Sequence, residues 1–387
     1  MKSSKHILPV IVIAQFFCTS LWFAGNGVMQ DLVVNFGLNT SDLAHFTSAV
    51  QFGFISGTLL FALLSIADRY SPSKVFMYCA SIGAVCNLGI IIEGNTLISI
   101  LALRFLTGFF LAGIYPVGMK IAADYYKSGL GKSLGYLVGA LVLGTAFPHL
   151  LKAVSASLNW EFVIVTTSIL AALGGLLLLF LVPDGPYRKA SQHIDISAFF
   201  KVFKAPKFRA AAFGYFGHMW ELYAFWAFVP LMLQLYSDLQ PTVMFNVPLL
   251  AFTSIAIGSL SCVLGGYLSQ RFGVKQMARL FLGLSCLCCV LSPLVFTRAS
   301  PTVFVGFLLF WGMVVVADSP LFSTLVAKNA PEALKGTALT IVNCIGFAIT
   351  IVSIQLLTVM STTMTAQNIY ILLAIGPVLG LLGLFKK

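Results

Sequence analysis

Charge is scarce in this chain. Only 9% of its 387 residues are Asp, Glu, Lys or Arg, where soluble domains carry about 25%, and no polar stretch is long enough to build a sizeable soluble domain. Paired metal-ligand spacing is also missing. The eight cysteines (Cys18, Cys79, Cys86, Cys262, Cys286, Cys288, Cys289 and Cys344) all fall in apolar segments. None forms the CxxC pairs of a zinc site, and no loop offers a disulfide framework. They read as small apolar side chains, with Cys286, Cys288 and Cys289 the one cluster. The five histidines (His6, His45, His149, His193 and His218) are scattered and no H-E-x-x-H occurs, so an intramembrane metalloenzyme is not expected. Gly131-Lys132-Ser133 looks like the end of a phosphate-binding loop. Tyr126 stands where that loop needs its first glycine, however, and no strand precedes it, which excludes an ATPase. Neither cofactor nor metal nor catalysis is expected.

What is abundant is apolar sequence: 59% of the residues, with a mean hydropathy of +0.97. Apolar segments run over about 7–28, 44–67, 75–93, 97–120, 133–153, 161–183, 211–236, 246–269, 277–297, 302–325, 337–361 and 368–385. A hydrocarbon core of about 30 Å takes roughly 20 helical residues per crossing, so the chain reads as twelve spans with short loops. The first run follows Lys2 and Lys5 as a signal peptide would, but it is long and carries Gln15, Trp22 and Asn26, which marks a retained helix. Of the 23 Lys and Arg residues, all but Lys152, Arg298 and Arg104 fall on the side of the termini. Positive charge collects on the cytoplasmic side, so both termini are expected there. The net charge of +11 is then a topology signal rather than a nucleic-acid footprint. Residues 184–209 form the longest polar, basic connection, dividing the chain into an N-terminal six-helix bundle (1–183), a cytoplasmic linker and a C-terminal six-helix bundle (210–387). Ile194, Ile196, Phe199, Phe200 and Val202 mark a short amphipathic helix on the membrane surface within the linker.

The costliest residues lie inside these segments. An ionisable group at membrane depth costs roughly 2.5–3.5 kcal/mol on insertion scales and is usually kept for a partner or a water-filled cavity. The stretch Tyr215 to Pro230 holds His218 and Glu221 among Tyr215, Trp220, Tyr223 and Trp226. A three-residue step puts the two on one helical face, with Phe225 continuing the stripe. Either they satisfy each other as a structural clamp, or they form a protonation or substrate site. Arg104 lies about two turns inside its span, where it either binds a carboxylate with its fork or snorkels to the interface. Asp318, two residues before Pro320, is the other deep acid, with a bridge to a loop lysine as its plainer reading. The first span offers Gln15, Thr19, Trp22 and Asn26 at steps of four, three and four, a polar stripe that reads as cavity lining. Gln51, Trp226, Trp311 and Asn343 are further lining candidates, although single amides often serve helix–helix contacts instead.

The two halves echo each other. Arg69-Tyr70-Ser71-Pro72-Ser73-Lys74 after the second span returns 202 residues later as Arg271-Phe272-Gly273-Val274-Lys275. Lys132-Ser133-Leu134-Gly135 returns 203 residues later as Lys335-Gly336-Thr337-Ala338. One shared offset in two loops implies two structural repeats, the arrangement in which a substrate site forms near the midplane.

On these residues the chain resembles the major facilitator superfamily (MFS) of transporters over nearly its whole length. The superfamily's loop signature G-x-x-x-D-R-x-G-R-R is matched by Asp68, Arg69 and Lys74, with Leu64 and Ser71 in place of its glycines. The second half matches it with Gly266, Arg271, Gly273 and Lys275, with Gln270 in place of the acid. Arg104, Gly108 and Ala112 are similar to the fourth-helix motif R-x-x-x-G-x-x-x-A. Gly131, Gly135, Gly139 and Gly144 partly resemble the exporter signature G-x-x-x-G-P-x-x-G-G, departing from it at Ala140 and Leu143. The resemblance implies an all-α membrane protein of twelve transmembrane helices in two pseudo-symmetric six-helix bundles. It implies a multi-pass monomer of the plasma membrane (the inner membrane if the source is bacterial) that binds a small-molecule substrate and works by alternating access. It assigns Asp68, Arg69 and Arg271 to gating. Proton coupling is the expectation from the residues, with Glu221 the carrier, His218 its modulator and Arg104 the counter-charge. A proton-driven exporter of amphipathic compounds and a non-transporting receptor or scaffold stand as alternatives.

Overall fold

The computed structural model describes residues 6–39, 42–126, 130–155, 158–188, 202–331 and 334–385. No strand occurs among the described residues. Hydrocarbon offers no partner to a backbone N–H or C=O, and a helix satisfies each within its own segment. Nine helices among the described residues are long and apolar enough to cross a bilayer, and Ile7–Thr19 and Ile369–Phe385 are shorter apolar helices. The seventh span is the 34-residue helix Pro206–Leu239, which completes the twelve. The chain falls into two compact units, Met1–Ile194 and Asp195–Lys387. The linker helix expected around Ile194–Val202 lies almost wholly in 189–201, outside the described residues.

Three spans are broken, and the breaks place the polar residues. In the first, Thr19 Oγ1 donates to Gln15 O at 2.8 Å and Ser20 Oγ to Phe17 O at 2.6 Å. Such back-bonding competes with the helical ladder and bends it. The helix Ile7–Thr19 stops, the chain passes through tight turns (Leu21 N to Cys18 O at 3.3 Å, Trp22 N to Thr19 O at 3.0 Å), and helix resumes at Ala24–Gly27 and Met29–Phe36. The polar stripe read across Gln15, Thr19, Trp22 and Asn26 is therefore not one helical face. Helical register is lost between Thr19 and Trp22, and Thr19 spends its hydroxyl on its own helix. The fourth span runs Leu97–Leu111, then Tyr115–Tyr125; the tenth runs Pro301–Ala317, then Ser319–Asn329. Pro116 and Pro320 each take the second position of the resumed helix. A missing N–H is harmless there, while the ring excludes the carbonyl four residues back.

The internal repeat recurs in the packing at an offset of 204. A Cβ built on Gly108 would overlap the carbonyl oxygen of Val50, and one on Gly312 would overlap that of Ser254. Spans two and four, and spans eight and ten, thus approach backbone to backbone at equivalent points. Gly144 does the same against Phe16 and Thr19, whereas Gly135 meets nothing within 4 Å, so the glycine spacing of the fifth span does not make one uniform contact ridge. Gly312→Ala is expected to force spans eight and ten apart at a cost of about 1–3 kcal/mol, read as a lowered melting temperature in detergent. Gly306→Ala, on the same helix with nothing within 4 Å, is the control; it should be neutral or gain up to about 1 kcal/mol of helix propensity.

Candidate functional site

Glu221 is fully buried on the seventh helix. Trp311 Nε1 donates to its Oε1 at 2.6 Å, Ser285 Oγ donates to its Oε2 at 2.8 Å, and Cys289 Sγ donates to Oε1 at 3.3 Å. An indole N–H can only donate, so Oε1 is an acceptor here. The ninth and tenth spans thereby give one carboxyl three donors, an arrangement that tolerates its ionised form.

About one turn earlier on the same helix, His218 Nδ1 stands 2.8 Å from Asp318 Oδ1. The contact is short without hydrogen-bond alignment, and His218 Nε2 and Asp318 Oδ2 have no partner among the described residues. Asp318 is the residue at the break of the tenth span, ahead of the helix Ser319–Asn329. It also lies within electrostatic reach of Glu221. Asp318 thus stands between the base His218, which it faces, and the second acid, Glu221. The step of three does carry His218 and Glu221 onto one side of the helix, yet they do not pair with each other, so the self-satisfied clamp is not formed. Nor does Asp318 bridge to a loop lysine, because the Pro320 break holds it opposite His218.

The aromatic residues around them divide. Phe225 packs on Trp311 with centroids 4.9 Å apart, behind the Glu221 cradle. Trp226 meets Tyr223 edge-on at 5.0 Å. Tyr215 Oη donates to Asn343 Oδ1 at 2.9 Å, so that pair is mutually engaged. Trp220 donates Nε1 to Leu372 O at 3.1 Å and serves as a clamp to the twelfth span.

In the first unit the guanidinium of Arg104 is fully buried. Nη1 donates to Leu21 O and to Asn87 Oδ1, both at 3.1 Å, and Nη2 donates to Trp22 O. Asn87 in turn donates Nδ2 to Thr167 Oγ1 at 3.2 Å and to Ser168 Oγ at 3.0 Å. Arg104 caps the carbonyls that the broken first span exposes, and Asn87 ties it to the sixth. No carboxylate lies within ion-pair distance of Arg104 among the described residues, so the structure neither pairs it with an acid nor lets it snorkel. Nearby, Trp22 packs on Phe54 at 4.9 Å and Asn26 Nδ2 donates to Thr47 Oγ1 at 2.8 Å. Gln51 lies between Thr47 and Phe54, and neither end of its amide has a partner among the described residues.

The loop after the second span joins a charged network. Asp68 Oδ1 is 3.1 Å from Lys120 Nζ, which also meets Asp124 Oδ2 at 3.1 Å. Arg188 donates to the carbonyls of Asp68 and Tyr70 and pairs with Asp184. Arg69 enters no ion pair among the described residues. Arg271 lies over the Phe272 ring, 5.3 Å from its centroid.

Sequence reasoning named Glu221 and Trp311 and marked Cys289 only as part of a cysteine cluster, without a partner, but missed Ser285 and Asn87. A signal for Ser285 was present: Ser285, Cys289 and Ser292 recur at steps of four and three on an apolar helix.

Comparison with known proteins gives the family. Residues 11–354 match the model of the Major Facilitator Superfamily. A Bacillus subtilis (strain 168) protein, YyaJ, named provisionally for metabolite transport, is 26% identical over 167 residues. That match covers 41% of this chain and 36% of YyaJ, so the chain spans little over a third of the length of the curated relative it matches. Among solved structures, the D-xylose–proton symporter superposes with a TM-score of 0.78 at 15% identity, covering 98% of this chain and 97% of that one. The nucleoside transporter NupG superposes at 0.73 and 16% identity, covering 98% and 100%. At such identities the likeness shows the fold alone, and it is the fold of twelve helices derived above. The chain is an integral multi-pass protein of the plasma membrane and belongs to the major facilitator superfamily.

Proposed function

We propose that the protein is a proton-coupled secondary transporter of a small organic metabolite, opening alternately to the two sides of the membrane, with Glu221 as the proton carrier. The observation that carries this reading is the donor set on Glu221. A sodium site needs several convergent oxygen lone pairs. The groups that meet Glu221 are an indole N–H, a thiol and a hydroxyl, which donate hydrogen bonds to a carboxylate but would crowd a metal cation, so the proton itself comes from water as access alternates. Asp318, within electrostatic reach of it, and His218, 2.8 Å from Asp318, supply a second acid and a base through which charge can be rebalanced as access alternates. The relatives transport metabolites, nucleosides and a pentose, which favours a small organic cargo.

In proteoliposomes, an imposed pH gradient is expected to drive solute movement that a proton ionophore abolishes and a sodium ionophore leaves intact. Movement that follows a sodium gradient instead would overturn proton coupling.

Gating belongs to the same reading. The Asp68–Lys120 pair is partly exposed, 32% and 22%, and such pairs contribute no more than about 1 kcal/mol. Asp68→Asn should therefore leave the melting temperature nearly unchanged while slowing pH-driven transport several-fold. An unaltered rate would reduce the network to a solvated loop.

A further inference from the structure

The broken first span leaves a group of buried amide atoms without a hydrogen-bond partner among the described residues. Gln51 is 0% exposed with neither Nε2 nor Oε1 bonded, and Asn26, 8% exposed, has used Nδ2 on Thr47 but left Oδ1 free among the described residues. Two contacts fix where they stand. Trp22 on Phe54 and Asn26 on Thr47 zip the first span to the second, and Gln51 falls on the same stripe of the second span, four residues after Thr47 and three before Phe54. Gln15, also 0% exposed with both amide atoms free, lies against Gly118 of the fourth span. An unsatisfied buried polar group costs about 1–3 kcal/mol, and here five amide atoms are left so within one unit. The available chemistry is uncharged and two-sided, with donors and acceptors together. Arg104, the cation that holds the break of the first span, has both terminal nitrogens taken by carbonyls and Asn87, and only its Nε is without a partner among the described residues.

We infer that Asn26 and Gln51, flanked by Trp22, form a subsite of the first unit for the hydroxyl- or amide-bearing part of an electrically neutral solute. This rests on the transport reading and deepens it by naming the class of cargo. An anion would find the guanidinium fork already filled, with only Arg104 Nε left to meet it, and neither Asn26, Gln51 nor Trp22 offers an acid to a lipophilic cation. A polyhydroxylated or heterocyclic neutral solute brings donors and acceptors that match both ends of an amide, and Trp22 offers a flat apolar surface beside them.

The test is binding to the detergent-purified full chain, followed by tryptophan fluorescence and thermal shift. The neutral probes are D-xylose, mannitol and uridine, set against gluconate and tetraphenylphosphonium. At least one neutral probe is expected to bind and the charged ones not. Gln51→Leu should weaken that binding about tenfold, the loss of one or two neutral hydrogen bonds. It should also leave the unliganded melting temperature equal or higher, because it removes an unsatisfied polar group. Gln51→Glu, which keeps an acceptor but loses the donor, should weaken binding as well. A fall in the melting temperature of Gln51→Leu with unchanged affinity would mean that Gln51 holds structural water, and would overturn the inference. So would gluconate or tetraphenylphosphonium binding in place of the neutral probes, or no neutral probe binding at all. Binding in detergent needs no flux. Retained neutral-probe binding without pH-driven movement would therefore sink the transport reading and leave the subsite standing.

Discussion

Glu221→Gln is expected to abolish pH-driven solute accumulation in vesicles while solute exchange at equal pH persists in part. The change is close to isosteric. The amide oxygen can still accept from Trp311 Nε1, and the amide nitrogen can donate to Ser285 Oγ, whose lone pairs were free to accept. The cradle therefore keeps its shape, and the melting temperature should move by no more than about 1 kcal/mol of stability. What disappears is the ability to take up and release a proton. Coupling should fail with binding preserved, a split that a folding defect would not produce. His218 and Asp318 remain in the variant and are the rival carriers. Unchanged pH-driven accumulation in Glu221→Gln would remove Glu221 from the mechanism and direct attention to Asp318→Asn. A loss of both accumulation and exchange would show that the carboxyl holds the fold or the cargo rather than the proton.

The fold was legible because the bilayer makes it so: composition and segment length fix an all-helical chain of twelve spans, and nothing subtler is required. The repeat was legible too, although the loops gave offsets of 202 and 203 while the packing at Gly108 and Gly312 recurs at 204; loops absorb insertions and helix contacts do not. Pro116 and Pro320 lie at the breaks of the fourth and tenth spans, although the sequence reading drew no break from either. The break in the first had no proline, only Thr19 and Ser20 bonding to their own backbone, and that choice depends on Arg104 waiting to receive the freed carbonyls. Partnering was the least legible level. His218 and Glu221 share a helical face, and periodicity can say no more; which acid faces which base is set by the kink at Asp318, a tertiary fact. Ser285 escaped notice, and Cys289 was seen only as one of a cysteine cluster, for a related reason. A hydroxyl and a thiol on an apolar helix cost little to bury, so they attract no attention until a carboxyl is placed beside them.

Arg104→Leu is expected to leave little folded protein. Three acceptors converge on the guanidinium: Leu21 O, Trp22 O and Asn87 Oδ1. Two of them are backbone carbonyls that the broken first span cannot satisfy internally. Leaving each buried and unmet costs about 1–3 kcal/mol, so the pair alone removes a large share of the stability of a typical domain, about 5–15 kcal/mol. Asn87 would then lose its acceptor contact, loosening the tie to Thr167 and Ser168 in the sixth span. Arg104→Lys separates a structural cap from an anion site. A lysine keeps the charge but offers a single ammonium on a flexible stem, unable to reproduce the planar fork. If Arg104 holds the break together, the lysine variant melts several degrees lower yet binds its solute with full affinity per folded molecule. If Arg104 instead engages an anionic cargo, stability should hold and affinity should fall. Measuring both quantities on one preparation decides between them. The neutral acceptors already filling the fork point to the first outcome.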